Sequence, residues 1–466
     1  MDKDKVVHPY IPNSVPRVQK EMLAEIGAKS IDELYELIPD DLLFKGKLNI
    51  PDGYQDEYSL RRHMNELMDK NTPTSEKLSF LGGGCSPHYV PAICDVINSR
   101  SEFLTAYAGE PYEDHGRFQA LFEFASMLGE LVDMDVVSVP TYDGSQAAAS
   151  ALRMACRITG RKTVIIPRSL NPDRASIIRN YCYPQIEVLT IDYDVRSGLI
   201  DMEDLKNKMS GRVAGIYLEN PSFFGIVETS AKKIADLAHE NGALCVVGVD
   251  PISLGVLAPP PQYGADIVCG ELQSLGIHMN YGGARGGFIA SADEERIVSQ
   301  YPTRLFGIVP TVDKAWGFGD VAWERTSFAR REDSKEYVGT MAALWGITAG
   351  VYLALMGPQG MADVGRTIMQ RSAYAAMELG KIEGVTSPAL KAPFFQEFIV
   401  NLDDDAGKTA CDMNELLLDR GIYGGIDLSR IFPELGESLM LSVTEVHTEQ
   451  DIDRLVRSVR QIVEGR

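Results

Sequence analysis

The chain has 466 residues, of which 45% are hydrophobic, and its formal net charge is −21. This length suffices for a large core with one or two smaller units, and so acidic a surface repels phosphate backbones, which argues against nucleic-acid binding. The seven cysteines and seven histidines form no CxxC, HxH or HxxxH spacing, so disulfide frameworks and metal sites are poor interpretations. No apolar run reaches about 18 residues, so we expect a cytoplasmic protein without membrane spans.

Residues 1–90 are mostly polar and punctuated by prolines, and they predict a helical arm rather than a free-standing domain. Ser30 precedes an amphipathic turn with Glu33 three residues further on, which is the pattern of a capped helix start. Pro39 then ends the turn. We expect this arm to lie over another surface.

Residues 91–335 alternate short apolar strands with helices, which predicts a large domain with a mainly parallel sheet buried on both faces. The predicted strands are residues 136–139, 163–167, 186–191, 213–218, 243–249 and 267–269. Residues 336–466 predict a smaller C-terminal α/β domain. It would contain a helix over 340–355 that stops at Gly357-Pro358, two strands, and a last helix capped by Thr448.

A turn at residues 142–146 follows an apolar strand and opens an alanine-rich helix. Its Gly144, Ser145 and Gln146 would supply the free N–H groups of a helix start, which bind phosphate well. The same residues also suit an ordinary N-cap before a closely packed helix. The segment by itself leaves both interpretations open.

Asp250 ends a predicted strand, where parallel sheets place their ligands. A carboxylate there can pair with a pyridinium nitrogen and help its ring act as an electron sink, although it also suits a turn before Pro251. Enzymes of pyridoxal fold type I carry a Schiff-base lysine after the next strand. Here no lysine occurs from Ile234 to Asp313, and Ser274 stands near the expected position. Because a serine hydroxyl cannot form an imine, this chain would not hold the cofactor covalently.

Three further residues lie in segments that could carry chemistry. His115 and His278 stand in polar loops, where a histidine can be an acid or base but is more often a surface residue. Arg285 belongs to the glycine-rich stretch 281–287. Such a stretch either cradles an anion or forms a tight hairpin.

Taken together, these segments resemble the α subunit of the two-subunit glycine cleavage P-protein, the decarboxylating glycine dehydrogenase. The resemblance runs in order over nearly the whole chain. Its segments are residues 10–13, 30–34, 80–84, 88–91, 142–144, 220–225, 250–257, 273–277, 281–283, 393–398, 433–436 and 443–445.

This resemblance implies a pyridoxal-phosphate-dependent transferase fold of type I and a role in glycine decarboxylation. In the family, a β subunit carries the lysine and the pyridoxal phosphate, decarboxylates glycine and passes the aminomethyl group to the lipoyl arm of the H-protein. The α subunit pairs with it as α2β2 and has no chemistry of its own. The resemblance also implies a vestigial cofactor pocket and an interface or substrate-channel set. The first comprises Gly144, Ser145, Gln146, Asn220, Asp250 and Ser274, and the second His115, His278 and Arg285.

Residues 108–116 and 332–337 depart from the usual sequence of that family. A divergent paralogue with another substrate or partner therefore stays open. So do two other hypotheses: an enzyme that binds pyridoxal phosphate non-covalently to act on another amine, and a non-catalytic scaffold. No metal, nucleic acid or membrane partner is expected in any of them.

Overall fold

A computed structural model describes residues 7, 10–46, 48–74, 76–103, 115–280, 286–321, 325–327, 336, 338, 342–403 and 406–465. The chain divides into two compact units, Met1–Asn71 and Thr72–Arg466. No helix among these described residues is long and apolar enough to cross a membrane.

The first unit contains two helices, α1 (Pro16–Glu25) and α2 (Glu57–Met68). α1 begins with a proline, whose missing N–H costs nothing in the first turn. α2 is capped by Asp56, which accepts the Ser59 N–H over 2.7 Å. The predicted cap at Ser30 is wrong, because a 3-10 turn over Asp32–Tyr35 starts after Ile31 without a side-chain cap.

The second unit begins with the elements of a large α/β layer. In chain order they are β1 (Leu78–Ser79), α3 (Ala92–Asn98), α4 (His115–Val132), β2 (Val136–Val137), α5 (Gly144–Thr159), β3 (Thr163–Pro167), α6 (Pro172–Cys182), β4 (Glu187–Ile191), α7 (Met202–Lys208), β5 (Val213–Glu219), α8 (Ala231–Glu240), β6 (Leu244–Val249), β7 (Ile267–Glu271), β8 (Gly287–Ser291), α9 (Glu295–Val298), β9 (Phe306–Pro310) and β10 (Trp316–Asp320).

Seven of these strands form one sheet in the order β2-β8-β7-β6-β5-β3-β4. The neighbours from β7 through β4 pair in parallel, whereas β8 pairs antiparallel with both β7 and β2. The mainly parallel sheet and all six of its predicted strands are therefore confirmed. The sequence does not predict β8, because the glycine-rich stretch before this strand indicates only a turn or hairpin.

The sheet is buried on both faces, as its apolar runs predict. Alternate residues of β3 belong to different cores: Ile165 packs in one, and Val164 and Ile166 pack in the other. β6 divides in the same way, with Val247 in the first core and Val246 in the second. The helices cover these two faces and leave the strand ends free for a site.

The rest of the unit contains α10 (Ala343–Leu379), β11 (Val385–Thr386), β12 (Glu397–Leu402), α11 (Ala410–Asp419), β13 (Ile422–Tyr423), β14 (Ile426–Asp427), β15 (Ser438–Ser442) and α12 (Glu449–Val463). β11, β12, β15 and β14 form an antiparallel sheet. Thr448 caps α12 as predicted. The predicted stop near Gly357 is correct only as a break: Gly357 has φ +58° and ψ −177°, and a second helical segment follows it at once.

Candidate functional site

Carboxylates stand at the ends of three neighbouring parallel strands. Glu219 is the last residue of β5, Asp250 follows β6 directly, and Glu271 is the last residue of β7. Because these strands are adjacent in the sheet, their carboxyl ends meet at one edge, where parallel sheets bind ligands. A cavity of about 100 Å³ opens at this edge, and all three carboxylates line it.

Two segments that are distant in sequence complete the cavity wall. Residues 83–88 contribute His88, and residues 395–397 contribute Glu397. Gly225 brings the loop after β5 against the second segment. Its φ is +76°, and a Cβ at this position would lie 1.9 Å from the Glu397 carbonyl oxygen. Because glycine alone permits this approach, the loop and β12 are held together beside the cavity.

Ser274 and Asp250 contact each other at the cavity wall. The Ser274 Oγ donates a hydrogen bond to Asp250 Oδ1 over 2.8 Å, and the same oxygen accepts the Ile252 N–H over 3.1 Å. Both side chains line the cavity. The hydroxyl at the predicted lysine position therefore lies beside the aspartate, and it cannot form an imine with an aldehyde.

The N-terminus of α5 is bound by carboxylates of this chain. The Gly144 N–H donates to Glu271 Oε2 over 2.8 Å, and the Gln146 N–H donates to Asp143 Oδ1 over 2.7 Å. The Gln146 side chain is buried and donates to Ser150 Oγ over 2.7 Å. Free N–H groups and the helix dipole favour an anion here, and Glu271 and Asp143 already supply it.

Arg174, which is partly buried, and the buried Glu219 form an ion pair that also lines the cavity. The Tyr217 hydroxyl donates to Glu219 Oε1 over 3.0 Å, and Arg174 Nε donates to Ser145 Oγ over 3.4 Å. Burial alone lowers the pKa of Arg174, but the charges of Glu219 and its neighbours outweigh burial and raise that pKa. The guanidinium is thus held by a charged neighbour, the arrangement that a buried cation requires.

His88 and Glu445 form a second buried pair, with 2.9 Å between His88 Nδ1 and Glu445 Oε2. The other carboxylate oxygen of Glu445 accepts the Tyr89 N–H over 2.8 Å. Burial alone lowers the pKa of His88, but the hydrogen bond and charge of Glu445 raise it overall. Burial also raises the pKa of Glu445, and its bond to His88 outweighs this and lowers it. Each partner therefore favours the charged form of the other.

Glu397 and Gln396 line the cavity from the small-domain side. Burial first, and then the charge of Asp250, raise the pKa of Glu397 to about 7. Gln396 has φ +63°, which is uncommon for a residue other than glycine. Its Oε1 and the Ser222 Oγ are buried and have no hydrogen-bond partner among the described residues. Both atoms belong to residues that line the cavity, and the described part of the protein leaves them unsatisfied.

Asn220 and His278 are not among the described residues that line this cavity. Asn220 is buried, and its Oδ1 accepts a backbone N–H over 3.1 Å. His278 is exposed, and its Nε2 lies 3.1 Å from both carboxylate oxygens of Asp95. His115 is the first residue of α4, but its side chain is outside the described part, as is the whole of Arg285.

The described residues around the cavity do not fit a covalently held pyridoxal phosphate. No lysine is among those that line it. A phosphate at the start of α5 would meet the carboxylates of Glu271 and Asp143, and like charges repel strongly where water is excluded. The nearby guanidinium of Arg174 is already paired with Glu219. The described residues of the cavity therefore include no lysine that could bind the cofactor covalently. The position where its phosphate would bind already holds two carboxylates.

The fold and the cavity define the class of protein: a pyridoxal-phosphate-dependent transferase fold of type I with serine beside the aspartate. A sphingosine-1-phosphate lyase of Burkholderia pseudomallei shares this fold, with a TM-score of 0.63 at 13% identity over 90% of this chain and 93% of the other. A crystal structure of glycine decarboxylase (P-protein) in inhibitor-bound form is more similar. Its TM-score is 0.85 at 30% identity, over 98% of this chain and 99% of the other.

Sequence comparison identifies the particular family. The profile of the glycine cleavage system P-protein matches residues 8–459. A protein of Staphylothermus marinus named probable glycine dehydrogenase (decarboxylating) subunit 1 is 38% identical over 464 residues, 98% of each chain. A protein of Pyrococcus abyssi with the same name is 36% identical over 458 residues, 97% of this chain and 99% of the other. The chain belongs to the glycine cleavage system P-protein family.

Sequence reasoning missed several residues of the cavity wall. His88, Gln396 and Glu397 all stand in motifs that carry the family resemblance, but nothing in those motifs indicates a shared cavity. Arg174 lies three residues after the helix-capping Asn171. The sequence pattern there indicates only the N-terminus of a helix, and nothing in it predicts a cavity residue. A signal was available for Glu219 and Glu271, because they closely follow the predicted strands 213–218 and 267–269, on either side of the strand that leads to Asp250.

Proposed function

We propose that this chain is the α subunit (subunit 1) of a two-subunit glycine dehydrogenase (decarboxylating) in the glycine cleavage system. The observation that carries the proposal is the bond of 2.8 Å from Ser274 to Asp250, in a cavity with no lysine among its described lining residues. In this proposal the β subunit holds the pyridoxal phosphate, decarboxylates glycine and passes the aminomethyl group to the lipoylated H-protein. The isolated chain is inactive, and the cytoplasmic enzyme is α2β2.

The surface of the first unit supports a role in assembly. Tyr10 and Leu37 are each 96% exposed, and neither α1 nor α2 contains a buried residue among those described. Exposed apolar side chains in this density mark protein–protein interfaces. We infer that residues 10–71 contact the β subunit. The division into an arm (1–90), a large domain (91–335) and a small domain (336–466) stays a prediction.

The roles proposed for two sets of residues stay predictions. The vestigial pocket retains Asp250 and Ser274 at the cavity wall, and its other members stand around the α5 start and the loop after β5. The interface or substrate-channel role of His115, His278 and Arg285 stays a prediction. The departing stretches at 108–116 and 332–337 fall largely outside the described residues.

The test combines the purified chain with a lysine-bearing β subunit and lipoylated H-protein, and measures exchange of the glycine carboxyl carbon with labelled bicarbonate. We expect exchange only when both subunits are present. A β subunit whose Schiff-base lysine is replaced serves as the matched control and should abolish exchange. If the chain alone catalyses exchange after addition of pyridoxal phosphate, the assignment of the chemistry to the β subunit is wrong.

A further inference from the structure

Two buried acceptors at the cavity wall lack a donor. Gln396 is 4% exposed, and its Nε2 donates to Ser86 Oγ over 3.0 Å and to Glu397 Oε1 over 3.1 Å. When Glu397 is ionised, its carboxylate accepts only from the nitrogen, so this bond fixes the orientation of the amide. The amide oxygen is then left without a partner among the described residues, as is the Ser222 Oγ. Buried polar atoms rarely lack a hydrogen-bond partner. We therefore expect a donor from a bound molecule at this position.

The charge of the cavity indicates the sign of what is missing. Asp250 and Glu397 both line it, and its two basic side chains are already engaged, Arg174 by Glu219 and His88 by Glu445. The charge of Asp250 contributes to the raised pKa of Glu397, so it opposes the ionisation of Glu397. A cation between them would relieve this repulsion, whereas an anion would increase it.

We propose that the cavity binds a small primary ammonium ion. Its N–H groups would meet Gln396 Oε1, Ser222 Oγ and the carboxylates of Asp250 and Glu397. An ammonium group brings three donors and no acceptor, which matches an unpartnered amide oxygen and an unpartnered hydroxyl on residues that line a cavity together with two carboxylates. Val249 and Phe395 also line the cavity, and they provide an apolar surface for a short alkyl group.

The arrangement suits an organic cation better than a metal ion. A structural zinc site requires about four imidazole, thiolate or carboxylate ligands, and a calcium site about six to eight oxygens, all converging at short distances. Among the described residues, no group of three or more His, Cys, Asp or Glu side chains converges in that way. Charge-assisted N–H bonds reach acceptors that are further apart and accept a neutral amide or hydroxyl oxygen equally. The site does not depend on the β subunit, so its test is separate from that of the proposed function.

The experiment titrates the full-length chain with methylammonium chloride and follows binding by calorimetry and by the thermal-unfolding midpoint. Sodium chloride at equal ionic strength is the reference. Tetramethylammonium, which has no N–H donor, and glycine, whose carboxylate carries a negative charge into the cavity, are the chemical controls. We expect saturable binding of methylammonium, weaker binding of glycine, and none of tetramethylammonium.

Three variants locate the binding site. Glu397→Gln should weaken methylammonium binding by about tenfold, since it removes a charge-assisted bond. Glu240→Gln is the matched control, because this exposed carboxylate lies outside the cavity, and it should bind like wild type. Ser222→Ala removes a hydroxyl that has no described partner. It should therefore fold with wild-type stability and still bind methylammonium more weakly.

Several results would overturn the proposal. These are a response no larger than that to sodium chloride, equal binding of tetramethylammonium, or tighter binding of glycine than of methylammonium. An equal loss of affinity in Glu240→Gln and Glu397→Gln would assign the effect to surface charge. If Glu397→Gln does not fold, unchanged affinity in Ser222→Ala would suffice to reject the site.

Discussion

Replacing Glu397 by glutamine should remove a pH-dependent loss of stability. Burial and the charge of Asp250 raise the pKa of this carboxyl from its ordinary 4.5 to about 7. Between these two values the folded chain binds more protons than the unfolded chain, so stability falls as pH rises through this window and stays reduced above it. Glutamine keeps the shape and an oxygen acceptor without the charge.

The size of the effect follows from the shift in pKa. At about 1.36 kcal/mol for each pKa unit, the shift of Glu397 corresponds to roughly 3 kcal/mol at full ionisation. We therefore expect Glu397→Gln to be more stable than wild type by up to about 3 kcal/mol at pH above 8, and to lose this advantage progressively toward pH 5. A carboxylate that is paired in the folded state has a lowered pKa and stabilises the protein as pH rises, whereas Glu397 destabilises it as pH rises.

The assay is urea unfolding of both proteins at several pH values, from mildly acidic to mildly alkaline. Glu240→Gln, at an exposed position, is the control and should follow the wild-type curve. The informative quantity is the difference between variant and wild type, because the other carboxylates cancel in it. A difference that is constant with pH, or that shrinks as pH rises, would show that Glu397 is not the buried, charge-strained group described above.

The remaining predictions concern the ion pair, the cofactor position and the arm. Arg174→Met should lower the free energy of unfolding by about 3 to 5 kcal/mol, measured with urea, since it leaves Glu219 buried without its cation. Adding Glu219→Leu should restore most of this free energy. A loss under about 1 kcal/mol would mean that the ion pair is solvated. Ser274→Lys alone should gain no visible absorbance with pyridoxal phosphate, because Glu271 still occupies the α5 start, whereas Ser274→Lys with Glu271→Ser should gain it; an equal gain in both would show that the missing lysine is the sole obstacle. Leu37→Asp should leave the stability of the isolated chain within about 0.5 kcal/mol but weaken association with the β subunit in sedimentation experiments, and unchanged association would exclude this side chain from the interface.

The tertiary structure alone brings the cavity wall together. His88 and Glu445 are 357 positions apart along the chain, and no local pattern relates two residues at that separation. The left-handed backbone of Gln396, with φ +63°, has no sequence signature either. It depends on β12 being held against the loop that contains Gly225, where glycine permits the close approach.

The contact between Glu271 and the start of α5 is a second feature that the local sequence does not predict and the tertiary structure decides. The sequence predicts a phosphate-binding turn at Gly144, because small residues follow a strand and open a helix. It does not reveal that β7 ends beside that turn, with a carboxylate 2.8 Å from the N–H. Register and packing between elements, rather than local propensity, decide which groups face an exposed helix end.

By itself, the sequence determined the mainly parallel fold, six of the seven strands of the large sheet and the missing amine, because apolar periodicity and the chemistry of single side chains are local properties. It also located Asp250 and Ser274, since strand ends in a parallel sheet share an edge. Only the tertiary structure decided that the resulting cavity is acidic and has unsatisfied acceptors. That character arises from groups on separate segments whose distances are set by packing, and electrostatic energies depend on those distances.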